Sequence, residues 1–243
     1  MSKRNGEIAL IRGPEEFSAA FAVSRQVVDR LANYEALLKQ WQKTINLVAP
    51  STLDAVWHRH FADSAQLVVL APGARTWVDL GSGAGFPGLV VAIMLAGVPP
   101  TPSPSPQGGG ETLHVTLIES NGRKCAFLRE VVRQTEIAQS VSVDILSTRI
   151  EAAATQASLA GPDVVTARAL ASLSRLLELS APLFTSRTVG LFLKGRDAAA
   201  ELEAARKLWS FNAELIPSRT EAGAHVVAVR DLEPKGRAKG SIS

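Results

Sequence analysis

Apolar residues in the first part of the chain recur at intervals of three and four positions, the spacing of one helix face. An amphipathic stripe that ends near Ile45 is formed by Val27, Val28, Leu31, Tyr34, Leu37, Leu38 and Trp41. Other apolar residues are expected to bury one helix against the next, among them Phe17, Phe21, Val56 and Phe61. The pattern predicts an N-terminal helical cap, which we assign to residues 1–71.

Beyond the cap, short β-rich runs alternate with stretches that suit helices. Strands are predicted over 76–79, 114–119, 141–146, 164–167 and 189–193, and helices over 88–96, 123–135 and 173–179. This order implies right-handed crossovers and a parallel sheet that is covered on both faces. We therefore expect a doubly wound α/β domain over 72–232, completed by a helix from Asp197 to about Leu208 and strands near 214–216 and 225–229.

The stretch 99–110, PPTPSPSPQGGG, interrupts this alternation. Its proline and glycine content excludes a regular helix or strand, so we expect a mobile surface loop inserted into the sheet domain. The basic tail, 233–243, is expected to fray in solvent.

Composition narrows the classes of protein without selecting one. The longest charge-free apolar run, 88–98, is about half of the roughly 20 residues that a membrane-spanning helix needs. Residues 1–13 lack the apolar stretch of a signal peptide, so we expect a cytoplasmic protein with no membrane partner. Cys125 is the only cysteine, which excludes an internal disulfide and a cysteine-cluster metal site, and we expect no metal. Lys plus Arg outnumber Asp plus Glu by 26 to 23, a bias that permits a polyanionic partner without requiring one.

The segment 78–88, VDLGSGAGFPG, is the first along the chain that indicates a ligand-binding site. It places Asp79 at the end of the first predicted strand, followed by glycines and an apolar helix. Gly81, Gly83 and Gly85 allow the backbone to turn sharply and to approach a bound molecule closely. A purely structural turn is the alternative, but this many glycines after an acid favour a ligand site.

Two classes of ligand fit these glycines. Gly83, Gly85 and Gly88 satisfy G-x-G-x-x-G, the dinucleotide fingerprint, although residues 79–81 separate the strand from the first of them. The order D-x-G-x-G-x-G instead resembles S-adenosylmethionine (SAM) methyltransferases, in which an acid at the first strand end lies near the methionine ammonium. In those enzymes an acid that ends the second strand accepts hydrogen bonds from the ribose hydroxyls. Glu119 fits this second role, and a solvated strand-end acid is its alternative.

Several ordered signatures resemble one family closely, the bacterial 16S ribosomal RNA (guanine-N7) methyltransferases, also known as glucose-inhibited division protein B. The likeness covers roughly Tyr34 to Val229 and includes WQKTINLVAP, RHFADS, VDLGSGAGFPG, LIESNGRKCAFLREV, STRIE, ARALASL and LFLKG. The resemblance implies a class I SAM-dependent methyltransferase with a Rossmann-like sheet. This chain departs from the family at Ala224, where a basic residue is common, so the position offers no basic side chain for an RNA contact.

The resemblance also implies cofactor contacts, at Gly81, Phe86, Ile150, Glu151 and Arg168. Phe86 fits a ligand pocket and a core plug equally well. Ile150 and Glu151 offer an apolar surface and polar groups where the third strand's loop would meet adenine. Arg168, at a strand's carboxyl end, faces the ligand crevice of such folds, with a surface ion pair as the alternative.

The range of possible methyl acceptors is narrowed by sequence motifs that the chain lacks. Exocyclic-amine methylases typically carry an Asn/Asp-Pro-Pro-aromatic motif after the fourth strand, where this chain has 167–170, ARAL. Cytosine-C5 methylation needs a nucleophilic cysteine, whereas Cys125 fits a buried small hydrophobe. Guanine N7 bears a lone pair and no proton, so its methylation needs alignment and no general base. We accordingly predict no catalytic side chain and a mechanism based on positioning.

Basic and polar positions within the family signatures are expected to contact RNA. They are Asn46, Arg59, His60, Arg123, Lys124, Arg149, Lys194 and Arg196. Asn46, Asp63 or an arginine is a candidate to hold the extruded guanine by its edges. His58 and His60 lie two positions apart, and a structural hydrogen-bonding role is at least as good an explanation for them as an RNA contact.

Taken with the family resemblance, which implies the substrate, the sequence predicts a SAM-dependent methyltransferase that modifies N7 of a guanine in 16S ribosomal RNA and releases S-adenosylhomocysteine. The expected partner is 16S ribosomal RNA or a small-subunit precursor, with the protein acting as a monomer. Two alternatives stay open: a nicotinamide-dependent oxidoreductase, and a non-catalytic RNA-binding or assembly protein on a methyltransferase scaffold.

Overall fold

The computed structural model describes residues 9–97, 113–159 and 161–235. The predicted loop 99–110 and the tail from residue 236 onward lie outside the described residues. The division at residue 71 falls in the turn between the last cap helix and the first strand, and separate domains stay a prediction.

The N-terminal part is helical, as predicted. It contains α1 (Pro14–Phe21), α2 (Arg25–Trp41), a 3₁₀ turn (Pro50–Ala55), a π-helical turn (Trp57–Ala62) and α3 (Asp63–Leu70). Helix α2 ends at Trp41, before the predicted Ile45. The Gln42 side chain explains the early end, because its Oε1 accepts hydrogen bonds from the backbone N–H groups of Leu47 and Val48 and so folds the chain back.

Within the described residues, seven strands form one sheet in the order β3-β2-β1-β4-β5-β7-β6. The five parallel strands match the predicted runs within two residues at each end: β1 (Thr76–Leu80), β2 (His114–Ile118), β3 (Ser142–Leu146), β4 (Val164–Arg168) and β5 (Val189–Lys194). The last two, β6 (Trp209–Pro217) and β7 (His225–Pro234), form an antiparallel hairpin and are longer than predicted. Strand β6 alternates between half-buried and exposed residues. Its apolar residues alone therefore predict a shorter strand than the one observed.

The remaining helices connect these strands. They are α4 (Gly88–Leu95), α5 (Gly122–Thr135), α6 (Ile150–Ala153), α7 (Leu173–Ser180) and α8 (Ala198–Ala205). Helix α8 is shorter than predicted because residues 206–208 form the turn into β6. No helix among the described residues combines the length and the apolar composition that crossing a bilayer requires.

Side chains of the parallel strands alternate between two apolar clusters, one on each face of the sheet. Trp77 packs with the cap, α4 and α5, whereas Val78 and Leu80 pack with α7 and α8. Every residue of α4 is buried because this helix lies between the cap and the sheet. The predicted coverage of both faces, and with it the α/β class, is confirmed.

Candidate functional site

The loop between β1 and α4 turns through three glycines with left-handed backbone. Their φ angles are +65° at Gly81, +57° at Gly83 and +92° at Gly85, values that side-chain-bearing residues rarely adopt. Strand β1 continues through Leu80, so Gly81 follows the strand directly. The strand thus ends one residue later than predicted, with Asp79 as its penultimate residue, and Gly81 and Ser82 still separate it from Gly83, the first glycine of the dinucleotide fingerprint.

The glycines of this loop are required for different reasons. A Cβ at Gly85 would lie 2.6 Å from both Leu89 Cδ1 and Tyr34 Oη, and one at Gly88 would lie 2.3 Å from Leu117 Cδ2. Packing therefore demands glycine at these two positions. At Gly83 the nearest atom to such a Cβ is the Gly81 carbonyl oxygen at 3.8 Å, which leaves open space. Gly83 is the glycine whose missing side chain leaves room for a ligand.

Asp79 lies beneath the loop and is 1% exposed. One carboxylate oxygen accepts a hydrogen bond from Gly88 N at 3.1 Å, and the other accepts one from Thr166 Oγ1 at 2.9 Å. Burial raises the pKa of Asp79 to about 6, although these hydrogen bonds lower it. The carboxylate holds the loop against β4, and Asp79 lines neither of the two cavities described next. Its contact with a methionine ammonium stays a prediction.

A cavity of about 440 Å³, the first cavity, opens beside the glycine loop at the carboxyl ends of β1 to β4. Six predicted cofactor residues line it: Gly81, Gly83, Glu119, Ile150, Glu151 and Arg168. The Glu119 carboxylate, 9% exposed, accepts hydrogen bonds from Gly83 N at 3.0 Å and from Asn121 N at 2.7 Å. Glu151 pairs at 2.6 Å with Arg175, which also lines this cavity.

Phe86 is 4% exposed and lines neither cavity. Its ring stacks on Tyr34 and His60, with centroids 5.4 Å and 4.8 Å away, and the Arg168 guanidinium lies 5.0 Å from its centroid. Tyr34 in turn donates a hydrogen bond to the carbonyl of Ala84. In this structure Phe86 fills the hydrophobic core between cap and sheet, which is the core position expected as an alternative to a ligand pocket.

Arg168 is held in place by the cap. Its Nη2 donates to His60 Nδ1 at 2.9 Å, while Nη1 donates to the Arg59 carbonyl at 3.0 Å and lies 3.3 Å from Asp63 Oδ2. His60 Nε2 lies 2.8 Å from Thr52 Oγ1. Burial, followed by the charges of Arg168 and Arg59, lowers the pKa of His60 to about 3, so the ring is neutral and accepts the arginine proton.

A second cavity of about 490 Å³ lies on the other side of Arg168. Arg168 and Ala169 line both cavities, so the two spaces meet at the carboxyl end of β4. Cap residues form one wall of the second cavity, and the ends of β5, β7 and the turn between β6 and β7 form the other. Besides Arg168, its polar lining comprises Thr52, Arg59, His60, Asp63, Lys194, Glu201, Ser218, Thr220, Glu221 and His225.

The residues predicted to contact RNA divide between these spaces. Lys124 and Arg149 line the first cavity, whereas Arg59, His60 and Lys194 line the second. Asn46, Arg123 and Arg196 are exposed and line neither. Asp63, a candidate to hold guanine, already accepts from Thr220, Gln66 and Arg168.

Two other candidates have structural roles in the described chain. Cys125 is fully buried, and its Sγ donates to the Glu119 carbonyl at 3.1 Å. His58 accepts from Ile11 N at 3.3 Å through Nδ1, and its Nε2 lies 2.9 Å from the Thr220 carbonyl oxygen. Among the described residues, no group of three or more His, Cys, Asp or Glu side chains is arranged to hold a metal ion.

Sequence reasoning missed Tyr34 and Glu201 as parts of the site. Tyr34 belongs to the amphipathic stripe of α2, and Glu201 lies on the polar side of a short alanine-rich helix, so each fits an ordinary packing or solvated position. Only contacts between residues far apart in the sequence bring them to the site. No local signal in the sequence distinguishes them from ordinary core or surface residues.

Comparison with solved structures gives the fold. A methyltransferase from Geobacter sulfurreducens matches with a TM-score of 0.53 at 13% identity, covering 83% of this chain and 90% of that one. An O-methyltransferase from Streptomyces achromogenes, solved with SAM, matches with a TM-score of 0.53 at 12% identity, covering 88% and 93%. The class I methyltransferase fold expected from the sequence is confirmed.

Comparison with curated proteins gives the family. A ribosomal RNA small subunit methyltransferase G of Parvibaculum lavamentivorans is 50% identical over 225 residues, covering 92% of each chain. Its counterpart in Rhodospirillum centenum is 50% identical over 222 residues, covering 91% of this chain and 92% of that one. The family model described as rRNA small subunit methyltransferase G matches residues 27–226. This chain, whose glycine loop and Arg168 border two adjoining cavities, therefore belongs to the rRNA small subunit methyltransferase G family.

Proposed function

We propose that this chain transfers a methyl group from SAM to N7 of a guanine in 16S ribosomal RNA. The observation that carries the proposal is the meeting of two cavities at Arg168 and Ala169, one of them walled by the glycine loop. A donor in the first cavity and an acceptor base in the second would adjoin at that point. Family membership supports ribosomal RNA as the substrate.

The residues around the first cavity fit SAM. Gly83 leaves space beside the loop, and each Glu119 oxygen has a lone pair left for a ribose hydroxyl after its backbone hydrogen bond. We assign Gly81, Gly83, Glu119, Ile150, Glu151 and Arg168 to direct cofactor contact. The glycine loop would be held in place by three residues behind it: Asp79, Gly85 and Phe86. When bound, SAM supplies an electrophilic sulfonium methyl whose carbon–sulfur bond breaks as the bond to N7 forms.

The protein's own task is alignment. Near the junction, His60 is neutral with both ring nitrogens engaged, and Asp63 accepts bonds at both oxygens. Neither group is poised to remove a proton, which suits an acceptor that loses none. The network fixes Arg168 between the cavities, and cap residues form one side of the second cavity. We place the reaction in the cytoplasm, on 16S ribosomal RNA or its small-subunit precursor, with a monomeric enzyme.

The test is methyl transfer from labelled SAM to small subunits that lack the modification. We expect digestion of the RNA to yield 7-methylguanosine, at a single guanosine located by mass spectrometry. Replacing that guanosine by 7-deazaguanosine, which has carbon in place of N7, is expected to abolish transfer. Undiminished transfer to the deaza substrate, or a methyl group on another atom, would contradict the proposal. Calorimetry should also show binding of SAM and none of NAD.

A further inference from the structure

The second cavity contains a buried ion pair that the proposed mechanism does not use. Lys194 at the end of β5 lies 2.7 Å from Glu201 Oε2 on α8, and the two side chains are 9% and 27% exposed. Lys194 Nζ also donates to the Ala171 carbonyl at 2.8 Å, and Glu201 Oε2 accepts from Leu173 N at 2.6 Å. The pair therefore has a fixed position, with both partners in the cavity wall.

The pair retains one donor and one acceptor for a ligand. An ammonium group has three protons, and the two contacts of Lys194 leave the third without a partner among the described residues. Glu201 Oε1 likewise accepts no hydrogen bond from the described part of the chain. Because Lys194 contacts the carboxylate to which Oε1 belongs, this donor and this acceptor belong to neighbouring groups in the lining of the cavity.

The other carboxylates of the cavity are less suited to a ligand. Asp63 is engaged at both oxygens, and Glu221 forms a half-exposed ion pair with Arg59 at the rim, at 3.0 Å. Glu201 is thus the half-buried carboxylate of this cavity with an unengaged oxygen. A hydrogen bond there is shielded from water and discriminates more strongly than one at the rim.

We propose that the Lys194–Glu201 pair recognises the acceptor base by its Watson–Crick edge, with Lys194 donating to O6 and Glu201 accepting from N1–H. This inference rests on the proposed function and adds the residues that select guanine. Guanine presents an acceptor at O6 beside a donor at N1, whereas adenine presents a donor amine beside an acceptor nitrogen. Adenine is therefore rejected at both atoms. Binding by this edge leaves N7, on the imidazole side of the base, free.

The position of the pair agrees with this role. Ala171, which accepts from Lys194, also lines the first cavity, so the pair lies next to the wall that the two cavities share. An extruded base held by Lys194 and Glu201 is consequently near the junction at Arg168 and Ala169, where the methyl donor is expected.

The test uses the full chain and base analogues at the acceptor position. Small subunits are assembled on ligated 16S ribosomal RNA that carries guanosine, inosine or 2-aminopurine at the modified site. All three keep N7; inosine keeps O6 and N1–H, whereas 2-aminopurine has no O6 and an acceptor at N1. We expect kcat/KM for inosine within about tenfold of guanosine, and for 2-aminopurine a loss of about 100-fold or more. Equal rates on 2-aminopurine and guanosine would overturn the inference.

Glu201→Gln tests the residue itself. The amide oxygen can take over the bonds from Leu173 and Lys194, which turns the amide N–H₂ toward the base and replaces an acceptor by a donor. The ratio of guanosine to 2-aminopurine activity should fall at least tenfold, while SAM affinity is unchanged because Glu201 does not line the first cavity. Glu203→Gln, on the same helix with a 73% exposed side chain, should leave the ratio unaltered.

The outcomes separate the two proposals. Transfer to guanosine with an unchanged ratio in Glu201→Gln would refute the role of the pair and leave the proposed function intact. No transfer to any substrate by the wild-type chain would refute the proposed function itself. Should Glu201→Gln fail to fold, the wild-type ratio between inosine and 2-aminopurine decides alone.

Discussion

Replacing Gly83 by alanine tests the ligand site with a single methyl group. The new Cβ would meet no protein atom closer than 3.8 Å, so it projects into free space at the wall of the first cavity. The residue must still adopt a φ of +57°, which costs an L-residue roughly 1–2 kcal/mol. We therefore expect a small loss of stability and a large loss of SAM affinity.

The size of the affinity loss follows from the geometry. A methyl group at Gly83 occupies space against which a bound ligand would pack, and displaces it from Glu119, whose carboxylate is fixed 3.0 Å from Gly83 N. We expect SAM affinity to fall by about 100-fold, roughly 2.8 kcal/mol at 1.4 kcal/mol per tenfold. Calorimetric titration with SAM measures this change, and urea denaturation measures stability separately.

Gly73→Ala is the matched control. Gly73 also has a left-handed φ, +84°, and a Cβ there meets no atom within 4 Å, but it lies in the turn before β1, away from both cavities. The two variants share the backbone cost and differ in their distance from the ligand site. A Gly83→Ala protein that binds SAM within about threefold of the wild type, or a control that loses affinity equally, would refute the reasoning. Gly83→Val should act in the same direction, more strongly.

Three further predictions concern buried polar groups. Arg30 is 8% exposed and donates to the carbonyls that end α4 and α5, so Arg30→Met should lower the free energy of unfolding by about 3 kcal/mol in urea titrations. Arg25→Met, at an exposed position of the same helix, should change it little, and equal effects would contradict the assignment. Because the pKa of Asp79 is raised to about 6, the folded chain binds a proton that the unfolded chain releases near pH 4. The contribution of Asp79 to the free energy of unfolding should therefore fall by roughly 3 kcal/mol as the pH rises from 4 to 6. A series of urea titrations at different pH values measures this dependence, which should be absent in Asp79→Asn. The pKa of His60 is lowered to about 3, so its ring resonances in NMR spectra should stay constant from pH 8 to 5, and a midpoint above pH 5 would contradict the network.

The parallel part of the sheet was predictable because its strands are short, mostly apolar runs bounded by turn residues. Strands β6 and β7 were underestimated for the opposite reason: much of their length is half-exposed, and a register irregularity lies between Ser210 and Asn212. Local hydrophobicity carries little information about strands of this kind.

The first cavity was also largely predictable, since glycines and strand-end acids mark it in the sequence. The second cavity was not, because it depends on contacts such as the one between Asp63 and Thr220, which are 157 positions apart. Asp79 and Phe86 show a further limit. A pattern indicates that a residue belongs to a site, but only the packing shows whether its side chain lines a cavity or lies behind the residues that do.

The origin of the two cavity walls has a consequence for engineering. All lining residues of the first cavity come from the chain after Leu80, whereas the second also uses 47–63 from the N-terminal helices. The proposed donor site thus draws on one stretch of polypeptide, whereas the second cavity combines that stretch with the N-terminal helices, and the two cavities share Arg168. Redesign of 47–63 is accordingly expected to reshape the second cavity while leaving the lining of the first unchanged, provided that the partners of this arginine are kept.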